Sequence, residues 1–204
     1  MRVIILLLFT LSSFAQNNNQ KIAYQYFING DYDKAIVIYE ELNKSNLSVN
    51  IYSPYFISLI NTNNFSTAEK LAKRLYSKNP QRLNYLVDVI VSLKKQEKVN
   101  KFIFNLKKLY KKLDGRNSQT IQLANRFLSF EMYDIALEVY EKSSKINNLF
   151  SYDLQRAQLY GLLGENKMMV DQYLDFLLNN PNQKKVVFSN IQRFLDNNGI
   201  KDFN

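Results

Sequence analysis

A helix–turn–helix pattern recurs along the chain at intervals of about 34 residues. In the clearest copy, over 23–42, apolar residues at helical spacing are interrupted by Gly30 and resume after Asp31. Glycine suits a tight turn, and the Asp31 carboxylate can cap free N–H groups at the start of the second helix. Ala35 stands where the two helices have to approach closely. Such a chain buries its apolar faces by stacking helix pairs on one another.

The small residue after the turn marks the later copies of the pattern. Ala68 follows Ala35 by one such interval, and Ala136 follows Ala68 by two. Phe102 takes the place of the alanine in the intervening copy, and Met169 does so in the fifth. The spacing therefore predicts about five helix pairs in one phase.

Prolines and a capping motif occur at regular places in the same pattern. Pro80 and Pro181 stand equally far beyond the small-residue position of their copies, where a second helix has to stop. Pro54 suits the first turn of a helix. Ser66 and Glu69 have the spacing of a capping box, in which each side chain bonds to a free backbone N–H of the other residue.

These units resemble the tetratricopeptide repeat family over about residues 17–183. The family has a small residue in the first helix, Gly-Asp/Asn-Tyr at the turn, an alanine early in the second helix with an aromatic residue four positions after it, and a closing proline. The resemblance implies an all-α fold, a right-handed α-solenoid of antiparallel helix pairs. The first repeat matches at Ala23, Gly30, Tyr32, Ala35 and Tyr39, and the later ones at Phe65, Ala68, Pro80, Ala124, Tyr133, Ala136, Tyr140, Ala157, Gly164, Tyr173 and Pro181.

The family resemblance also implies a partner-binding groove lined by the first helices. In family members this groove holds an extended peptide or a helix of a partner protein. An asparagine there can hold a peptide backbone with one donor and one acceptor, and a lysine can meet a carboxylate. The residues expected to line the groove are Tyr24, Phe27, Asn61, Lys94, Asn125 and Gln158.

The two ends of the chain carry different signals. Residues 1–15 have one positive charge, a short apolar run and small residues at Ser13 and Ala15, as a secretory signal cleaved after Ala15 has. We therefore expect export to the periplasm or cell envelope, with no later membrane span, and a disordered leader over 16–20. The signal sequence and the composition resemble those of Bacteroidota.

The helical repeat domain is expected to cover residues 21–204, with one further helix over 184–196 after the five pairs. The repeat phase would place the partner of this helix after Phe203. A terminal capping helix has a polar outer face, and the sequence of this helix shows no obvious one. We therefore expect the chain to be the front part of a longer protein.

The net charge of +9 leaves two interpretations open. The basic residues are spread along the chain, as on solvated helix faces. The densest group nevertheless forms a basic patch whose i, i+4 spacing predicts one shared helical face. That patch makes an anion-binding module, for lipid head groups, polysaccharide or nucleic acid, the alternative function. It consists of Lys107, Lys108, Lys111 and Lys112, within a basic region that begins at Lys94.

Composition argues against several kinds of active site. The chain has no Cys and no His, so it lacks thiol nucleophiles, imidazole bases and the common zinc ligands. Five glycines form no phosphate-binding loop motif. We therefore expect no enzyme activity, cofactor or metal, and a protein partner rather than nucleic acid. The leading hypothesis is an interaction scaffold of the cell envelope, and a helical accessory domain of a longer enzyme is a further alternative.

Overall fold

The computed structural model describes residues 18–45 and 49–197, and these ranges contain helices and turns but no strand. The predicted all-α fold is therefore confirmed. A 3-10 turn, Pro181–Gln183, precedes the last helix. The α-helices are α1 (18–28), α2 (Tyr32–Ser45), α3 (Val49–Asn61), α4 (Phe65–Lys78), α5 (Leu83–Lys95), α6 (Val99–Tyr110), α7 (Asn117–Leu128), α8 (Tyr133–Ile146), α9 (Asp153–Leu162), α10 (Asn166–Asn179) and α11 (Lys184–Asn197).

The chain divides into two compact units, of which one ends at Ile103 and the other begins at Phe104. In the first unit α3 packs between α2 and α4, and α4 packs on α5. In the second unit α7, α8, α9 and α10 pack each on the next, and α11 contacts both α9 and α10. Helices that follow one another through a short turn and pack together run antiparallel, as the repeat predicts.

Five turns recur with the same left-handed backbone conformation. The residue at each turn has a positive φ: 79° at Gly30, 60° at Asn63, 57° at Glu97, 60° at Glu131 and 78° at Gly164. These residues follow one another at the spacing that the alanines predict. The turn before α6 is included, although the sequence around Phe102 retains little of the repeat pattern.

A backbone hydrogen bond closes each of these turns. The N–H after the left-handed residue donates to the carbonyl five positions earlier, which satisfies a group that the helix end leaves free. Because only backbone atoms take part, the turn does not depend on which side chains it carries. The donor–acceptor pairs are Asp31 to Tyr26 (2.9 Å), Asn64 to Leu59 (2.8 Å), Lys98 to Leu93 (3.0 Å), Met132 to Phe127 (3.1 Å) and Glu165 to Tyr160 (2.8 Å).

The expected small residues lie where neighbouring helices meet. Ala35, Ala68 and Ala136 are fully buried. Phe102, which replaces the alanine in α6, is only half-buried, because a phenylalanine ring does not fit a contact built for a methyl group. First helices contribute a second set of fully buried alanines, namely Ala23, Ala124 and Ala157.

A glycine brings α9 and α11 close together. A Cβ atom placed on Gly161 would lie 3.1 Å from the ring of Phe194 and 3.0 Å from the sulfur of Met169. The aromatic ring therefore packs directly on the glycine backbone. Tyr173 and Val187 complete this buried cluster.

Three sequence interpretations need correction. Helix α1 begins at residue 18, so the leader expected over 16–20 is helical in its last three positions. Pro54 lies in the interior of α3, which begins at Val49, and not in its first turn. Ser66 and Glu69 form no capping box, because α4 begins at Phe65 without a side-chain cap and Glu69 bonds to other partners. The predicted signal sequence, residues 1–15, lies outside the described residues.

Candidate partner-binding surfaces

In the first unit, two of the predicted groove residues contact each other on α1. Tyr24 is half exposed and Phe27 is partly buried, and their ring centroids are 5.9 Å apart. Tyr32, at the start of α2, packs against Phe27 at 6.1 Å. This aromatic group offers a partner an apolar surface that is held on one side by the fold.

Asn61 and Lys94 stand near the ends of the other two first helices of this unit. Both side chains are exposed. The Asn61 amide nitrogen donates to the carbonyl of Ile57 at 2.9 Å, so one of its donors is already used within α3. The Lys94 ammonium lies 5.1 Å from the centre of the Phe102 ring, a cation–π distance. The Asn61 amide therefore has one donor fewer for a partner, and the Lys94 ammonium would have to leave the Phe102 ring to bind a carboxylate.

In the second unit, Asn125 and Gln158 are exposed amides at equivalent places of α7 and α9. Each follows a fully buried alanine, Ala124 or Ala157. In both helices the alanine therefore lies on the packed face, and the amide that follows it lies outside that face. Two amides that stand one repeat apart are thus presented in the same way by the fold.

The same repeat position differs among the first helices. It is exposed at Tyr24, Asn125 and Gln158, half-buried at Ile57 and fully buried at Val91. The apolar residues at 57 and 91 close this position in α3 and α5. Among the described first helices, only α7 and α9 consequently present an exposed amide at this position.

The lysines of the basic patch are all exposed, but only two of them lie within α6. Lys107 and Lys108 lie in the last turn of α6. Positive side chains are favourable there, because the helix dipole is negative at the C-terminus. Lys111 and Lys112 lie in the following turn. The N–H of Lys112 donates to the carbonyl of Leu109 at 2.9 Å, three positions back, so the backbone tightens after Tyr110.

An almost buried carboxylate, which the sequence analysis placed in a capping box, forms a polar cluster in the first unit. Glu69 accepts hydrogen bonds from Lys73 (2.5 Å), Gln96 (2.8 Å) and Lys98 (2.9 Å). Burial would raise the pKa of Glu69, but these hydrogen bonds outweigh it and lower the pKa from 4.5 to about 2. Its partners satisfy the carboxylate and connect α4 to the end of α5 and to the turn after it.

A second buried polar contact joins α3 to α5. The Tyr52 hydroxyl donates to Asp88 Oδ2 at 2.6 Å, and both residues are buried. The ring of Tyr85 meets that of Tyr52 edge-on at 4.9 Å. Neither residue was singled out from the sequence, because a tyrosine and an aspartate on separate helices give no local signal of pairing.

An exposed apolar stripe on α10 was also missed. Leu174 and Leu178 are 54% and 81% exposed. The repeat alignment carries a signal for it, since the other four second helices have charged or hydroxyl residues at these two places. The corresponding pairs are Glu40 and Lys44, Lys73 and Ser77, Lys107 and Lys111, and Glu141 and Lys145.

Residues of the described ranges form no group of three or more acidic side chains that could hold a metal ion. Nor does any helix within those ranges have the length and apolar character needed to cross a membrane. The surfaces described above offer amides, aromatic rings, lysines and leucines. Such groups bind other molecules by hydrogen bonds, charge and apolar contact.

Comparison with known proteins finds similarity in structure. No family model and no curated protein matches the chain. TTC0263, a thermophilic TPR protein in Thermus thermophilus, is 16% identical, and the match covers 88% of this chain and 98% of that chain with a TM-score of 0.48. MamA AMB-1 is 12% identical over 79% and 89% of the two chains, with a TM-score of 0.43. MamA MSR-1 is 13% identical over 78% and 92%, with a TM-score of 0.41.

Proposed function

We propose that the protein is a non-catalytic interaction scaffold that binds a peptide or helix of a partner protein. The observation that supports this most directly is the pair of exposed amides, Asn125 and Gln158. They occupy the same repeat position of α7 and α9 within one unit, each beside a fully buried alanine. A surface that repeats with the fold suits a ligand whose own backbone repeats.

Amide side chains suit an extended peptide for a chemical reason. Each amide has a carbonyl acceptor and an NH₂ donor, so it can pair with both polar groups of a peptide unit. A single hydrogen bond of this kind contributes only about 0.5–1.5 kcal/mol. Specific binding therefore needs several such contacts or an added apolar anchor.

The envelope location belongs to the same proposal. It rests on residues 1–15, whose charge, apolar run and small residues resemble a secretory signal. A mature chain starting at Gln16 in the periplasm or at the envelope would meet its partner there. Mass spectrometry of the N-terminus of protein recovered from the native host tests this part directly, because a chain that still begins with Met1 would contradict export by cleavage.

A crosslinked pull-down from native envelope extract tests the binding surface. The bait is the full chain, with an Asn125→Ala/Gln158→Ala variant beside it. We expect one discrete protein partner to be lost with this variant. An Asn166→Ala/Asn179→Ala variant is the matched control, because it removes two exposed amides from α10, a second helix. Equal capture by all three baits would show that the amides of α7 and α9 do not bind the partner.

The same experiment separates the alternative functions. A Lys107→Gln/Lys108→Gln/Lys111→Gln/Lys112→Gln variant keeps the amides and removes the basic patch. Capture that depends on these lysines and weakens steeply with salt would favour the anion-binding module. Capture of a partner by every variant and at all salt concentrations would point to a surface elsewhere, as expected of an accessory domain of a longer enzyme.

A further inference from the structure

The outer side of α10 carries an exposed apolar stripe. Val170, Leu174 and Leu178 recur at the i, i+4 spacing, so they lie along one side of the helix. Val170 is 44% exposed, and exposure increases toward Leu178. Leu174 and Leu178 stand where α8 carries Glu141 and Lys145. Apolar side chains left in water on successive turns, two of them at places that are charged or hydroxylated in the other second helices, mark an interaction surface.

One edge of this stripe is acidic. Asp171 and Asp175 each come one position after a stripe residue, and both are exposed. The same i, i+4 spacing places the two carboxylates along one edge. Two α10 helices packed on each other through the stripe would bring these like charges together. The stripe is therefore complementary to a partner surface that has an apolar centre and a basic edge.

Helix α6 has such a surface. The Phe104 side chain is 68% exposed, whereas most aromatic side chains of the described residues are buried or half-buried. Lys107 and Lys108 come at the i+3 and i+4 positions, so they lie on the same side of α6 as Phe104. Both lysines are exposed. An aromatic side chain beside two ammonium groups provides an apolar contact for the leucines of α10 and positive charge for its two aspartates.

We propose that α10 of one molecule packs antiparallel on α6 of a second copy of this chain. Phe104 then lies against Leu174 and Leu178, and the lysines approach Asp171 and Asp175. The antiparallel direction also brings the positive N-terminal end of α10 to the negative C-terminal end of α6. Because the two surfaces differ, the contact is heterologous, and it links copies head to tail.

A second copy accounts for more of the molecule than an anionic ligand does. A lipid head group or a nucleic acid would pair with Lys107 and Lys108. It would leave both the leucine stripe and the acidic edge beside the stripe in water. The second copy covers both surfaces at once and pairs the charges of one with those of the other.

Sedimentation velocity of the full chain over a wide concentration range tests this proposal. We expect self-association that grows with concentration and weakens in high salt. A Leu174→Glu/Leu178→Lys variant has the charges of α8 and is expected to raise the dissociation constant roughly a hundredfold or more. Leu149→Lys is the matched control, because Leu149 is 82% exposed but lies in the turn after α8. Circular dichroism checks that each variant is folded.

Charge reversal on each side identifies the partner surfaces. A Lys107→Glu/Lys108→Glu variant and an Asp171→Lys/Asp175→Lys variant should each lose self-association, whereas a mixture of the two should associate. A wild-type chain that stays monomeric, or a mixture that fails to associate, would overturn the proposal. It would also be overturned if a monomeric chain bound vesicles containing phosphatidylglycerol and the lysine variant did not, since the lysines would then serve a lipid surface.

Discussion

The Lys98 ammonium lies 2.9 Å from Glu69 Oε2, and this contact joins α4 to the turn that follows α5. Glu69 also accepts hydrogen bonds from Lys73, on its own helix, and from Gln96. One carboxylate thereby connects the second helix of one pair to the end of the next first helix. Contacts of this kind between neighbouring pairs are the means by which a repeat fold becomes stable as a whole.

The Glu69 cluster predicts a pH-dependent stability. The pKa of Glu69 is about 2 in the folded chain, against 4.5 as its ordinary value. Its contribution is therefore complete above pH 4.5 and is lost as the pH falls toward 2. Glu69→Gln removes the charge from these hydrogen bonds, which the exposure of Lys73 and Lys98 weakens in part, so we expect it to lower the free energy of unfolding by about 1–3 kcal/mol near neutral pH.

Urea unfolding of both proteins across this pH range measures the effect. The difference between wild type and Glu69→Gln should shrink steadily below pH 4.5. Lys34→Gln serves as a control, because the exposed Lys34–Asp31 pair at 3.4 Å should contribute less than about 0.5 kcal/mol. A difference that stays constant down to pH 2 would show that the Glu69 carboxylate is not what stabilises the fold.

Two buried tyrosines should respond in opposite ways to loss of the hydroxyl group. Tyr52→Phe removes a 2.6 Å hydrogen bond to the buried Asp88, and we expect a loss of about 1–3 kcal/mol in the free energy of unfolding. The hydroxyl of Tyr39 is buried without a hydrogen-bond partner. Tyr39→Phe should therefore be neutral or stabilising. Thermal and urea unfolding compare the two variants, and equal losses would contradict this assignment.

The left-handed turns predict a stabilising substitution. Glu97 and Glu131 have φ values of 57° and 60°, a conformation that costs a residue with a side chain about 1–2 kcal/mol and costs glycine little. Glu97→Gly and Glu131→Gly should each raise the free energy of unfolding by about 0.5–1 kcal/mol, since glycine also loses more chain entropy on folding. Differential scanning calorimetry should show a higher melting temperature.

Gly30→Ala is the converse control for that prediction. Its φ is 79°, and an added Cβ would meet no atom within 4 Å. Any loss of stability in this variant is consequently conformational and not steric. A stable Gly30→Ala together with destabilised glutamate variants would rule out the backbone explanation.

The contact between α9 and α11 depends on Gly161. A leucine there has to displace the Phe194 ring, which would lie 3.1 Å from the new Cβ. We expect Gly161→Leu to lower the free energy of unfolding by about 1–3 kcal/mol. Adding Phe194→Ala should recover part of this loss. A double variant in which the two losses simply add would show that the ring does not pack on the glycine.

The repeat could be predicted from the sequence because its phase depends on residues with a local signature. Gly30, Ala35, Ala68 and Ala136 mark the turns and the close helix contacts, and all of them lie where their types require. Glu97 and Glu131 gave no such signal, since glutamate is not a typical turn residue. Their left-handed conformation is imposed by the helices on either side and by the hydrogen bond that closes each turn.

The candidate site could be predicted only in part. Exposure of Asn125 and Gln158 agrees with the repeat phase and with their polar side chains, but the phase alone was not sufficient, because the same position is buried at Val91. Whether these amides bind a partner stays a prediction. The pairing of Tyr52 with Asp88 could not be anticipated, because it depends on how two helices that are distant in the sequence pack on each other.

The hydrogen-bonded turns also bear on how the chain acquires its fold. Each is closed by atoms five positions apart, so the loop that has to be ordered is short and the entropy lost in closing it is small. Each turn can therefore form before the residues that follow it have been synthesised. Chains with mainly local contacts fold quickly, so the apolar sides of each new helix pair stay open to aggregation only briefly.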